Sequence, residues 1–276
     1  MGKFSQRLQK KVMTRGKTHG YCTICREYGK LTREHVVPQG CGNIEDKVIV
    51  RVTEYLDAPD KPKGNRSQGG IHFRTVCAKC NSLLGSKYDR ELINFSNDIA
   101  KHLNHLTFGH VFNKITYRPY RTLKLAKAVV GHLLAANSVE ETNSDKPLSN
   151  RYSMLSEFVL NEAAPLPEGF DIYYWLYPYK PIKMLRSIGS MNIINPSFRV
   201  AGDILKYYPI AFLVSYNSKP APEYGLTKLN LPSTQKINDT AGVEVSYMRA
   251  LRSDFPERPE DYEVLLMNDE VCTVAV

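Results

Sequence analysis

Two Cys-x-x-C pairs constrain this chain more than anything else in it: Cys22 with Cys25, and Cys77 with Cys80. A knuckle of this spacing presents two thiolates to one metal ion from a tight turn, and two knuckles complete a tetrahedral four-cysteine zinc site. The 51 residues between the pairs exceed the spacing of ordinary zinc ribbons. The ion is therefore expected to pin together the two ends of a sizeable insert. A Glu34-His35 dipeptide lies inside that insert, running into Pro38 within LTREHVVP, and Asn81 follows Cys80 directly. Cysteine pairs alone fit a zinc scaffold with no chemistry; the residues around them point further.

Together, Cys22, Cys25, Glu34, His35, Pro38, Cys77, Cys80 and Asn81 resemble the HNH endonuclease family, the ββα-metal nucleases. In zinc-containing members a Cys-x-x-C precedes an Asp-His or Glu-His strand end, and a second Cys-x-x-C-Asn opens the closing helix. The resemblance covers about a quarter of the chain. It implies a metal-dependent endonuclease that hydrolyses phosphodiester bonds of DNA, with RNA not set aside. His35 would be the general base, because a neutral imidazole titrating near pH ~6.5 suits water activation. Glu34, on the opposite face of the strand, would give a carboxylate oxygen to Mg2+ or Mn2+, and Asn81 a second oxygen through its amide carbonyl. Soft thiolates would thus take Zn2+ for structure while hard oxygens take the catalytic ion. His72 stands where the family often places its middle Asn or His; it would orient the base or brace the loop, or else be a buried structural histidine. A carbonyl partner for His35 would fix its tautomer. Relatives often carry a further His or Asn one turn after the Cys-Asn position, which here is Gly85. The resemblance also implies a bacterial or phage setting of restriction, antiviral defence or mobile elements.

The length of 276 residues allows one large domain or two modest ones. The expected fold class is α+β: a zinc-stabilised ββα-metal domain over residues 1–89, then a helical segment and an antiparallel sheet over 90–276. Charge divides at the same place. Residues 1–89 carry 17 Lys/Arg against 8 Asp/Glu, and the remainder carries 20 of each, so the excess positive charge lies in the part that holds the motif. Such a field draws in polyanions and fits phosphate contacts. No apolar run approaches the ~20 residues needed to span a bilayer. The basic N-terminus lacks the apolar core of a secretory signal. Knuckle cysteines, with Cys41 and Cys272 showing no pairing logic, fit a reducing, cytoplasmic compartment.

Local patterns give a short helix within 3–18, a strand at Leu31–Val37, a strand at Lys47–Tyr55 and another at Ile71–Val76. The Pro/Gly-rich loop Asp57–Gly70 carries Lys61, Lys63 and Arg66 where they could touch a bound strand. Helices are expected from Asn81, over Arg90–Leu106, and over Tyr120–Asn137, the last with one apolar face. A polar loop from Glu140 follows. Phe170–Tyr177, Lys183–Ile194, Phe198–Ile204 and Ile210–Tyr216 read as an antiparallel meander, and an acidic tail starts at Asp254. Asp89, eight residues after Asn81, could reach back to the site but reads first as a helix-surface carboxylate; His132 reads as packed or on the surface, and His19 as exposed. His102, His105 and His110 lack an acidic or cysteine partner at ligand spacing. The aromatic run Asp171–Tyr179 reads as a half-buried strand rather than a platform for bases. Two alternatives stand beside the nuclease: a zinc-stabilised nucleic-acid-binding module without catalysis, and an interaction protein whose C-terminal part binds a partner or ligand.

Overall fold

The first knuckle is the turn of a hairpin. In the computed structural model, β1 (His19–Tyr21) and β2 (Tyr28–His35) pair antiparallel on either side of Cys22 and Cys25. The described residues are 16–57, 64–106, 114–117, 119–137, 141–197, 199–246, 254–257, 259, 262–267 and 272–276. The helix expected before residue 16, Lys61, Lys63, His110, the side chain of His105 and part of the acidic tail lie outside them.

The chain then leaves for β3 (Lys47–Arg51), the short helix α1 (Val52–Asp57) and β4 (Asn65–Ser67). The strand expected over Lys47–Tyr55 stops at Arg51 because Glu54 reaches back: its Oε2 accepts from the Arg51 backbone N–H at 3.4 Å, the carboxylate half of a capping box. β5 (His72–Cys77) returns to pair with β2, and Cys77 is also the N-cap of α2 (Ala78–Leu83). Strand, strand and helix thus follow in the expected order around the cysteines. A single π-turn (Leu84–Tyr88) joins α2 to α3 (Asp89–Leu106).

β6 (Lys114–Thr116) precedes α4 (Thr122–Ala135). This helix is buried on all sides, Lys124 alone excepted, rather than along one face. The polar Lys127 is accommodated because its ammonium donates to the carbonyls of Phe158, in the last turn of α5 (Asn150–Leu160), and of Asn161 and Ala164 just beyond it. Four long strands follow: β7 (Phe170–Leu176), β8 (Ile182–Asn192), β9 (Arg199–Tyr207) and β10 (Ile210–Tyr216). They are not a meander. β8, β9 and β10 are consecutive neighbours, but β7 lies beyond β10, which makes a Greek key. Periodicity marks strands without naming their partners.

β11 (Thr227–Lys228) pairs with β7, β12 (Glu244–Ser246) with β6, and β13 (Glu263–Leu266) with β8. β14 (Thr273–Ala275) lies between β8 and β3. It completes a nine-stranded sheet in the order β11-β7-β10-β9-β8-β14-β3-β4, with β13 on β8. The fold is mixed α/β with antiparallel sheets, and the larger buried cluster runs from Cys22 to Ala275. The boundary expected at residue 89 therefore does not coincide with a break in the core. No helix among the described residues is long and apolar enough to cross a membrane.

Candidate metal and catalytic site

The sulfur atoms of Cys22, Cys25, Cys77 and Cys80 all lie within 4.8 Å of one another, and those of Cys25 and Cys77 are 3.7 Å apart. Tetrahedral thiolates at ~2.3 Å from one zinc ion stand about 3.8 Å apart. The donor set and its spacing fit zinc. Crowding splits the thiols. A hydrogen bond with Cys80 pulls Cys22 down to about 5, the same bond pushes Cys80 up, and burial pushes Cys25 up to about 12. Protons here do what a cation does better, since metal binding displaces them. Cys41 and Cys272 stand apart, near Ser96 Oγ and the Arg186 carbonyl.

The β2–β5 register sets Glu34 opposite Phe73 and His35 opposite His72, past an irregularity between Thr32 and Glu34. The two imidazole centroids are 5.7 Å apart. His35 Nε2 lies 3.1 Å from the Gly69 carbonyl. A carbonyl only accepts, so Nε2 carries the hydrogen and Nδ1 keeps its lone pair. The carbonyl partner expected for His35 thus exists, supplied by the loop between β4 and β5. Gly69 and Gly70 have φ of +68° and +95°, and a Cβ on Gly70 would meet the Asn43 carbonyl at 2.3 Å. Only glycine serves at such a position. The Gly69 N–H donates to Asp46 Oδ1 at 2.9 Å. Asn43, fully buried, donates to the carbonyls of Val37 and Ile71 at 2.7 and 2.9 Å, and accepts from the Ile71 N–H at 2.8 Å. It clamps the two ends of the insert together. No spacing in the sequence marked Asn43, Asp46 or Gly69.

His72 is buried, with Nδ1 3.4 Å from Ser67 Oγ, which itself donates to the Gly70 carbonyl at 2.8 Å. It thus meets Ser67 at the β4 end of the loop that carries Gly69 and Gly70. Asn81 Nδ2 donates to Thr32 Oγ1 and the Arg33 carbonyl at 3.1 and 3.0 Å, so the amide oxygen is the atom of this side chain that can accept a hydrogen bond or bind a cation.

Glu34 turns inward. It is 5 % exposed, and its Oε1 lies 3.6 Å from His132 Nδ1, while His132 Nε2 lies 3.0 Å from Asp89 Oδ1. Ligand atoms of the three side chains are all within 4.8 Å of one another. Two local features build this group. The π-turn re-aims the helix before Asp89, and Gly131 lets α4 approach closely, since a Cβ there would meet Leu84 Cδ2 at 2.3 Å. Asp89 is therefore not a surface carboxylate, and the packed His132 sits between two acids. Burial pushes the Glu34 carboxyl up to about 7, with the Asp89 charge adding and His132 opposing. Burial pulls His132 down, but the Asp89 carboxylate, its hydrogen bond and Glu34 together raise it.

Asn81 and Asp89 are eight residues apart, about 12 Å along a helix axis. Asn81 meets β2 at Thr32 and Arg33, the residues next to Glu34 in sequence, while the Glu34 carboxylate lies beside His132 and Asp89. His102 Nδ1 lies 3.0 Å from the Asp98 carbonyl, and among the described residues it joins no metal-type group. His19 is exposed. The aromatic run is the buried strand β7, with only Tyr179 beyond it substantially exposed. Comparisons with family models, with curated proteins and with solved structures found no match.

Proposed function

We propose that this chain is a metal-dependent endonuclease of the HNH type, acting on DNA, with His35 as its general base. The observation that carries the reading is the hydrogen bond from His35 Nε2 to the Gly69 carbonyl, beside four zinc-type cysteines on a β-β-α unit. That bond leaves Nδ1 to take a proton from water. Asp46 fixes the loop that fixes the imidazole. The excess positive charge of residues 1–89 supports binding of a phosphate backbone. A setting in restriction, antiviral defence or mobile elements belongs to the same reading, as does a partner- or ligand-binding role for the later strands.

In such enzymes a divalent ion polarises the phosphate and stabilises the departing oxygen. By the resemblance Glu34 and Asn81 would hold that ion, and no step is assigned to it. The test is supercoiled plasmid with Mg2+ or Mn2+. Wild type should nick or linearise it, and His35→Ala should slow the reaction at least ~100-fold while binding DNA as before. Equal cutting by the variant would remove His35 from the chemistry. Binding without cutting by wild type would favour the zinc-stabilised nucleic-acid-binding module.

A further inference from the structure

His132 is fully buried, and its Nδ1 has no hydrogen-bond partner. Its Nε2 donates to Asp89 Oδ1 at 3.0 Å, so in the neutral imidazole Nε2 carries the ring hydrogen and Nδ1 presents a lone pair. That lone pair faces Glu34 Oε1 at 3.6 Å, itself an electron-rich atom on a carboxylate that is 5 % exposed. Two such groups face each other away from water only with a proton or a metal cation to hold them, and a shared proton would draw them to hydrogen-bond distance, which this gap exceeds. A transition ion bound at ~2.0–2.2 Å to one nitrogen and one oxygen holds them about 3.5 Å apart at an ordinary bond angle. The observed gap is that of two ligands on one ion.

We propose that Glu34 and His132 Nδ1 ligate a divalent transition ion of the Mn2+ or Zn2+ class in an enclosed second metal site, with Asp89 as the positioning residue that holds the imidazole through Nε2–H. A carboxylate on the far nitrogen of a metal-binding histidine fixes the tautomer and strengthens the ligand. Imidazole in the donor set selects against Mg2+, and two carboxylates neutralise the ion's charge. This site shares Glu34 with the ion that the resemblance assigns to Glu34 and Asn81, but takes His132 in place of Asn81. It concerns cation binding alone and stands whether or not the chain cleaves phosphodiesters.

Mn2+ is the probe, because it competes poorly with zinc for thiolates. The full chain, zinc-loaded at its cysteines, is titrated with Mn2+ and followed by electron paramagnetic resonance, with electron spin-echo modulation reporting any imidazole nitrogen on the ion. The expected result is one Mn2+ per chain with nitrogen modulation. Binding should weaken at least ~100-fold in His132→Ala and Glu34→Gln, and ~10- to 100-fold in Asp89→Asn. Circular dichroism and retained zinc report folding of the variants, and the modulation in wild type needs no variant at all. Absence of Mn2+ binding, or binding without nitrogen modulation, would overturn the proposal and leave the three side chains as an ion network. Binding lost in Asn81→Ala but kept in His132→Ala would also overturn it, and would return the ion to Asn81.

Discussion

Lys206 on β9 is fully buried and shares one carboxylate with a second lysine. Glu257 accepts from Lys183 Nζ at 2.8 Å and from Lys206 Nζ, so two ammonium groups depend on one acid, with the rings of Tyr177 and Trp175 beside Lys206. Burial pulls Lys206 down to about 8, against the pull of Glu257 and Asp254 and with the help of Lys183. An unfolded lysine titrates near ~10.4. Between these values the unfolded chain holds the proton and the folded chain does not, so stability attributable to Lys206 rises with pH across that window. Lys206→Met leaves the Lys183–Glu257 pair and removes the buried surplus charge. It should match or exceed wild type by about 1 kcal/mol at pH 7, and lose that margin as the pH climbs past 8. Denaturant unfolding of both proteins across pH 7 to ~10.4 checks this; parallel curves would sink it.

The element that a metal ion at the four cysteines would support most is the three-stranded sheet of β1, β2 and β5. Its strands are only 3, 8 and 6 residues long, and both cysteine knuckles meet at the one end where β2 starts and β5 stops. Cys77→Ser should lose the bound zinc and strip amide protection from 19–35 and 72–77, while β7 to β10 keep theirs. Hydrogen exchange with zinc analysis measures both, and unchanged protection in zinc-free protein would contradict a structural ion. This element was legible in the sequence because its four sulfurs, Glu34-His35 and Asn81 fall at local spacings. Glu34's real partners were not. Asp89 and His132 reach it only because Gly131 brings α4 against the π-turn, a tertiary contact that no local pattern encodes. The same limit explains the long strands: β7 to β10 were legible as spans, but the place of β7 beyond β10 follows from which apolar faces meet. α4 was legible as a helix, while its full burial rests on three carbonyls that reach Lys127 from outside it.

At the scale of the molecule, charge and packing divide the chain differently. The excess positive charge belongs to residues 1–89, but those residues do not close their own core. β3 is held by β14 in the register Thr273 opposite Arg51, Val274 opposite Val50 and Ala275 opposite Ile49, and β14 continues onto β8. β5 is tied to α4 through Thr75 Oγ1, which donates to the Ala135 carbonyl at 2.5 Å, and the Tyr88 hydroxyl donates to the Val159 carbonyl at 3.0 Å. Residues 1–89 expressed alone with zinc lack all of these. β3 and β4 then lose the sheet that orders them, and the loop from β4 to β5, which carries the Gly69 carbonyl to His35, loses one of its two anchors. The fragment should therefore still bind DNA in a salt-dependent way, because phosphate attraction follows charge, but show little protection in 47–51 and 65–67 and no plasmid cleavage above its His35→Ala control. Amide exchange and the plasmid assay, run beside the full chain, separate the two contributions. A fragment that is protected throughout and cuts as the full chain does would make the first third an autonomous unit, with the C-terminal strand an accessory to it. Binding without protection would place the electrostatics in residues 1–89 and the geometry of the base in the whole sheet.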